Sequence, residues 1–584
     1  MNALSGLARV LIFGGAIGLG ASLFAIGFVE AVKWLSESLL ITVRARRDAP
    51  AHWSLWLILV PAIAGLLAGL LIRLIAERRA HNPADAIEAA QLLREVPTRS
   101  GLLTAAAALI GLGGGASVGQ YGPLVHLGAT VGSMLSRFGE RLRVGGAIDP
   151  GLGIGCGVAA AISTAFNAPI AGIIFAHEVV LRHYSLRAFA PIMVASSTGL
   201  FIATRVFDRP ALFEIDAAHS ALPAEFLAFI FIGASGALVA VAYMRAILAA
   251  QHLSEPLTMP DWLKPALAGL CVGLCAHWIP EILGAGGETL RLAITPGAYD
   301  AAQLALILVL KIAATALCLG FGFAGGVLSP ALLIGALFGA LVGDGAQAIA
   351  GALSDGGGII SSSGFEFYAI CGLAAVTSPV IGAPLATILI VFELTRNYEL
   401  TTAVMIAVAF SNVVGYRLFG RSLFDRQLAM RGFDLSLGRD KVHLARSGIR
   451  EYLSDDFVRA RDRDRAADVQ RALIAAQSSE AHVVDDRGRY VGTIALPRLI
   501  ARTHDDDGGD ADQRSARDVM HDDALRFDSG MSVWAAMEAM ESFVGESIPV
   551  LDRDGALLGV VHESTLVRAY LRTVHKLREA EHAG

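Results

Sequence analysis

Charge is scarce in this chain: 17% of its 584 residues are Asp, Glu, Lys or Arg, while 54% are hydrophobic. The net charge of −6 carries little meaning, because more than half of the acidic residues stand beyond residue 430. Cysteine is scarcer still: Cys156, Cys271, Cys275, Cys318 and Cys371 all fall in apolar segments. Cys271 and Cys275 stand one helical turn apart near His277, but no fourth ligand follows at zinc spacing. They read as small residues of helix packing rather than as a metal site. The first apolar stretch, from about Leu11 to Leu40, lacks a small-residue cleavage site and is expected to be a retained helix. No nucleophile–base pair or metal-ligand set stands out, which speaks against an enzyme, and no nucleic acid or resident cofactor is expected.

What the chain does have is long apolar runs, confined to residues 1–430. Leu55–Ile72, Phe226–Met244, Leu304–Leu319 and Ala403–Val414 exceed the needs of a soluble core. Several approach the roughly 20 residues that cross a bilayer. Others are cut by Gly and Pro, which predicts broken or tilted helices. An all-α polytopic domain in the lipid bilayer follows. Arg44, Arg46 and Arg47 flank one side of an apparent span and Arg73, Arg78 and Arg79 the other, so the charge count leaves its orientation open.

The stretch Gly111–Pro123, GLGGGASVGQYGP, opens one of these helices. Its glycines let the backbone approach a ligand, and Pro123 at the first helical position pre-sets φ. The first amides of a helix and the positive end of its dipole favour a negative charge. Irregular backbone inside a membrane is tolerated where it is buried in protein or lines a wet cavity. A site for anion passage is the expectation.

The pattern recurs. Gly155–Glu178 (GCGVAAAISTAFNAPIAGIIFAHE) parallels Ile370–Glu393 (ICGLAAVTSPVIGAPLATILIVFE), matching Cys156 to Cys371, Pro169 to Pro384 and Glu178 to Glu393. Gly326-Val327-Leu328-Ser329-Pro330 echoes Gly119-Gln120-Tyr121-Gly122-Pro123. Two internal copies, about 1–210 and 220–430, place a binding site at the repeat interface. Lone polar residues in these segments are further candidates: Lys311, with Glu393 as a possible partner, and the neighbours His177 and Glu178.

Composition changes near Met430. A linker, 431–445, leads to two similar units, 446–502 and 516–576, joined by an acidic linker over 503–515 and followed by a tail, 577–584. Each alternates short apolar strands with amphipathic helices and turns at Asp485–Gly488 or Asp552–Gly555. This α/β tail resembles a pair of CBS repeats. In that family a Thr or Ser and then a ribose-binding Asp follow the last strand. Here those positions read Ala495 and Arg498, then His562 and Thr565. Nucleotide binding is therefore doubtful, and a structural or dimerising role is expected.

Residues 1–430 resemble the CLC family of chloride channels and chloride–proton antiporters, through GGGASVG, GQYGP, FNAPIAG, GVLSP and GAPLA in that order. The resemblance implies inverted repeats and a homodimer in a membrane, here a bacterial inner membrane with the CBS tail in the cytosol. It also implies a bound chloride or similar small anion, held by backbone amides and hydroxyls. Carried over by position, the anion-binding residues are Gly119, Gln120, Tyr121, Gly122, Val327 and Leu328, with Pro123 and Pro330 at the helix starts. His81 and Asn82, in Ala80–Ala84, stand loosely where the family has GSGIP. Phe424 stands in place of the tyrosine of the inner gate and cannot donate an O–H.

The main departure is Tyr121, where the family carries a gating glutamate. A phenol, with an ordinary pKa of about 10, stays neutral at physiological pH. The family's inner proton-transfer glutamate is also missing, since Val179 follows Glu178. The expected function is passive anion conduction without proton coupling, Tyr121 facing the pore as a neutral gate. An antiporter with a displaced proton path, or a poorly conducting anion sensor, are the alternatives.

Overall fold

The computed structural model describes residues 2–40, 53–141, 149–208, 225–353, 364–435, 438–504, 514–541, 543 and 545–582. The chain divides into two units, Met1–Phe433 and Asp434–Ala583. The acidic run 505–513 lies outside the described residues.

The first unit is helical throughout. Its first eight helices are α1 (Asn2–Leu39), α2 (Trp53–Ile72), α3 (Pro83–Gln91), α4 (Thr98–Gly113), α5 (Tyr121–Arg141), α6 (Pro150–Phe166), α7 (Pro169–Phe175) and α8 (Leu186–Phe201). Eight more follow in the same order: α9 (Phe226–Ser254), α10 (Lys264–Ala276), α11 (Gly287–Ile294), α12 (Ala301–Gly320), α13 (Leu328–Leu353), α14 (Phe365–Ile381), α15 (Pro384–Thr395) and α16 (Tyr398–Phe419). A last helix, α17 (Leu423–Met430), has no counterpart in the first set. Seven segments among the described residues are long and apolar enough to cross a membrane. Shorter apolar helices stand among them, namely α6, α14, α15 and the segment Pro169–Leu181 that begins with α7, as the Gly and Pro interruptions predict.

Helix ends are fixed locally. Asn82 caps α3 through its Oδ1, which accepts from the Ala84 amide at 2.9 Å, while Asp85 Oδ2 accepts from the Asn82 amide at 2.8 Å. Asp300 and Gln303 form the same reciprocal box at α12. Small residues then let backbones touch. A Cβ on Gly128 of α5 would lie 2.5 Å from the Gly157 carbonyl of α6, and one on Gly335 of α13 would lie 2.5 Å from the Gly372 carbonyl of α14. The same close crossing thus occurs once in each repeat, as expected of helices packed without a hydrophobic driving force.

The repeats also complete one another. Glu178 Oε1 and Oε2 accept from the amides of Leu385 and Ala386, at 3.0 and 2.8 Å, at the start of α15. Glu393 Oε1 and Oε2 accept from Ile170 and Ala171, at 3.0 and 2.8 Å, at the start of α7. Each carboxylate satisfies first-turn amides that have no partner within their own helix.

The second unit holds two three-stranded sheets. In the first, β1 (Val458–Arg461) pairs parallel with β2 (Glu480–Val484), which pairs antiparallel with β3 (Tyr490–Ala495). In the second, β4 (Phe527–Asp528), β5 (Ser547–Leu551) and β6 (Leu557–His562) repeat that order and direction. Each sheet has its own buried cluster, around Leu473, Val483 and Ile494 or around Phe527, Ile548 and Val561. The stretch expected as a linker, 431–445, contains most of a helix, Arg439–Arg446, because Leu444 is buried in the core of the second sheet. His482 bridges the sheets: its ring nitrogens lie 3.0 Å from Thr493 Oγ1 and 2.9 Å from Ser547 Oγ.

Candidate functional site

The two glycine-rich turns meet. Gly119 and Gly326 exchange backbone hydrogen bonds, each amide donating to the other's carbonyl at 2.7 Å. A Cβ on Gly122 would lie 2.4 Å from Gly326 Cα, so the crossing admits no side chain there. The Ser329 hydroxyl accepts from the Gln120 amide at 3.2 Å. The amides of Gly119 and Gln120, expected to face an anion, therefore serve the crossing itself. The amides of Gly122, Val327 and Leu328 remain at or just before helix starts, where no preceding turn supplies a carbonyl.

Pro123 was expected at the first helical position but is the third residue of α5; Pro330, expected at a helix start, is likewise the third residue of α13. The helices begin two residues early because the Gly119–Gly326 pairing fixes the turn from outside the local sequence. Pro still lies in the first turn, where its missing N–H costs nothing.

Two cavities adjoin the crossing. The smaller, ≈ 80 Å³, is lined by Gln120, Tyr121, Phe166, Ser329 and Thr395, together with apolar residues of α11, α13, α14 and α15. Its size suits a small ion with a water or two, at about 30 Å³ per water. Tyr121, 5% exposed, stacks on Phe166 with ring centroids 4.0 Å apart. No side chain lining this cavity carries a carboxylate or an ammonium.

The larger cavity, ≈ 650 Å³, forms a vestibule. Its lining brings together His81, Asn82, Gly326, Val327 and Phe424, with Arg73, Arg78, Arg79, Lys264 and Arg431 against Asp261. The excess of positive charge draws anions to the wall. Asp85 ties Arg79 at 2.6 Å to Arg431 at 3.0 Å. Phe424, on α17, is buried. Tyr121 and Phe424 thus line different cavities. Asn82 has its carboxamide engaged: Oδ1 caps α3, and Nδ2 donates to Gln427 Oε1 at 3.2 Å.

The sequence of residues 64–416 matches the family model described as voltage gated chloride channel, and residues 516–572 match that of the CBS domain. The chain is a CLC protein. It is 30% identical over 429 residues, 72% of this chain and 96% of the relative, to a protein of Ralstonia nicotianae (strain ATCC BAA-1114 / GMI1000) named as a ClcB-like chloride channel. It is 27% identical to the voltage-gated ClC-type chloride channel ClcB of Escherichia coli O81 (strain ED1a), covering 72% of this chain and 99% of that one. Two solved structures share the fold. A slow cyanobacterial Cl−/H+ antiporter has a TM-score of 0.64 at 20% identity, over 72% of this chain and 98% of its own. A eukaryotic CLC transporter has 0.61 at 18%, over 96% and 98%.

Within this CLC protein two expected pairings do not form. Lys311, fully buried, donates from Nζ to the carbonyls of Ile282 at 2.9 Å and Gly284 at 2.8 Å rather than to Glu393. Glu393 is committed to α7. The His177 Nδ1–H donates to the His183 carbonyl, 2.9 Å away, while its neighbour Glu178 is committed to α15. Among the described residues no cluster of His, Cys, Asp and Glu has metal-binding geometry.

Other residues join the site without having been predicted. The Tyr243 hydroxyl, buried on α9, donates to the Val327 carbonyl at 3.3 Å. Ser117 and Thr315 hydroxyls meet at 3.2 Å between the repeats. The signal for Tyr243 was a lone phenol inside the apolar run Phe226–Met244.

Proposed function

We propose that this CLC protein is a passive channel for chloride or a similar small anion, with Tyr121 as a neutral steric gate and no proton coupling. One observation carries the reading: Tyr121 opens α5 inside a cavity whose lining has no ionisable acid. The half-buried carboxylates nearest in sequence pattern, Glu178 and Glu393, each accept two backbone amides. A proton taken up there would weaken a helix cap. The amides of Gly122, Val327 and Leu328 are the proposed donors to the anion. His81 lines the vestibule, and Phe424 narrows it.

The protein works in this reading as a homodimer in a bacterial inner membrane, its tail in the cytosol. The tail serves structure or dimerisation, since neither unit carries an acid at the ribose position. That solved relatives are described as antiporters supports a second reading, in which protons move by another route.

Anion efflux from liposomes with simultaneous pH recording separates the readings. Chloride efflux at its Nernst response without proton movement supports the channel. Stoichiometric proton counterflow would replace it with the antiporter, and tight anion binding with negligible flux would replace it with a sensor.

A further inference from the structure

His81 and His126 form a buried pair whose chemistry the anion path leaves unused. His126, on α5 five residues beyond Tyr121, is 1% exposed, and neither of its ring nitrogens has a hydrogen-bond partner. His81 is 6% exposed and its Nδ1 is likewise unpartnered. The rings meet edge to face at 5.2 Å. A buried imidazole nitrogen left without a partner costs about 1–3 kcal/mol, so two such rings packed together are not explained by stability.

The pair is connected to the aqueous side. His81 lines the vestibule, and its Nε2 lies 3.2 Å from Oε2 of Glu77, whose side chain is 41% exposed. The His81 amide donates to Thr104 Oγ1 at 3.2 Å, which holds the residue in place from α4. Glu77, half in solvent, thus leads through His81 to His126.

We propose that His81 and His126 form a proton-binding site, loaded through His81 where it lines the vestibule, that makes anion flux rise as the vestibule is acidified. The proposal rests on the reading of this cavity as part of the anion path. A proton on His81 turns the Glu77 contact into an ion pair and adds one positive charge at the vestibule lining. The charged groups bearing on the pair are Glu77 and Arg79 from the turn before α3, and Asp85 from α3. Asp85 is already neutralised by Arg79 and Arg431. The added proton therefore changes the balance near the anion rather than an existing pair. Tyr121 offers no acid to pass the proton onward, so the proton returns to the side it came from.

The test uses the full chain in liposomes, with pH set separately on each side. Between pH 7.5 and 5.5 on the vestibule side, chloride flux should rise about threefold or more, the effect of one unit charge at short range in a partly screened site. The same change on the other side should have little effect. In His126→Gln and in the double variant His81→Gln/His126→Gln, the ratio of fluxes at the two pH values should fall to about one. A wild-type ratio of one, or a ratio that survives in the double variant, overturns the proton site. If wild type carries no chloride at either pH, the channel reading fails instead. The site is then judged from 15N-histidine-labelled full chain in detergent. A resonance lost in His81→Gln should shift when the sample is acidified, and that response should change in His126→Gln; a resonance that does neither rejects the proposal.

Discussion

At position 121 charge and bulk can be separated. Tyr121→Phe keeps the ring stacked on Phe166 and removes only the hydroxyl. Flux should stay within about fivefold of wild type if the ring supplies the steric part of the gate, since a single neutral hydrogen bond is worth roughly 1 kcal/mol. Tyr121→Glu places an acid in a cavity lined without one. Flux at pH 7.5 should drop about tenfold, equivalent to roughly 1.4 kcal/mol of barrier, and recover on acidification of that side. Efflux assays at several pH values read both. The position of Tyr121 was legible because a turn of Gly and Pro writes its geometry into five adjacent residues. The ring's partner was not, because Phe166 comes from another helix. Lys311 shows the same limit: a buried cation was visible in the sequence, but its acceptors are backbone carbonyls, which every residue carries.

At the scale of the element, the starts of α7 and α15 depend on carboxylates from the opposite repeat. Glu178→Ala or Glu393→Ala leaves two amides without their charged acceptor. Each should cost about 2–3 kcal/mol of stability, read as a lower unfolding temperature of the first unit in detergent. The conservative Gln variants, which keep one acceptor oxygen, should cost less. The matched positions of Glu178 and Glu393 were plain in the sequence, and so was the repeat. The exchange of caps was not, because spacing alone does not say that each acid reaches across. Helix starts shifted for a related reason, since the Gly119–Gly326 pairing sets them at long range. The two CBS-like units were readable from strand alternation and Asp-to-Gly turns, which are local signals.

At the scale of the whole molecule, the second unit should be acid-sensitive. Burial first, and the charge of His562 second, push the His482 imidazole from 6.5 down to about 4. The folded unit thus holds His482 neutral while the unfolded chain takes up a proton below 6.5. Stability is full above pH 6.5 and declines as pH falls from there to about 4, by on the order of 3 kcal/mol at the lower end. Thermal unfolding of the second unit at pH 7.5 and pH 5 should show the drop, and His482→Gln should flatten it. A pH-independent transition in wild type would show that His482 is not held neutral.

The exchange of caps also sets an order of events in biosynthesis. The Ile170 amide must wait for a carboxylate 223 residues later in the chain. At ribosomal speeds of about 5–20 residues per second, that interval is roughly 10–45 s. Until then the first half sits in the bilayer with one helix start open, unable to close its own passage. A ribosome that stops near residue 220 would leave a half-protein exposed to quality control, so the two halves are made in sequence but matured together.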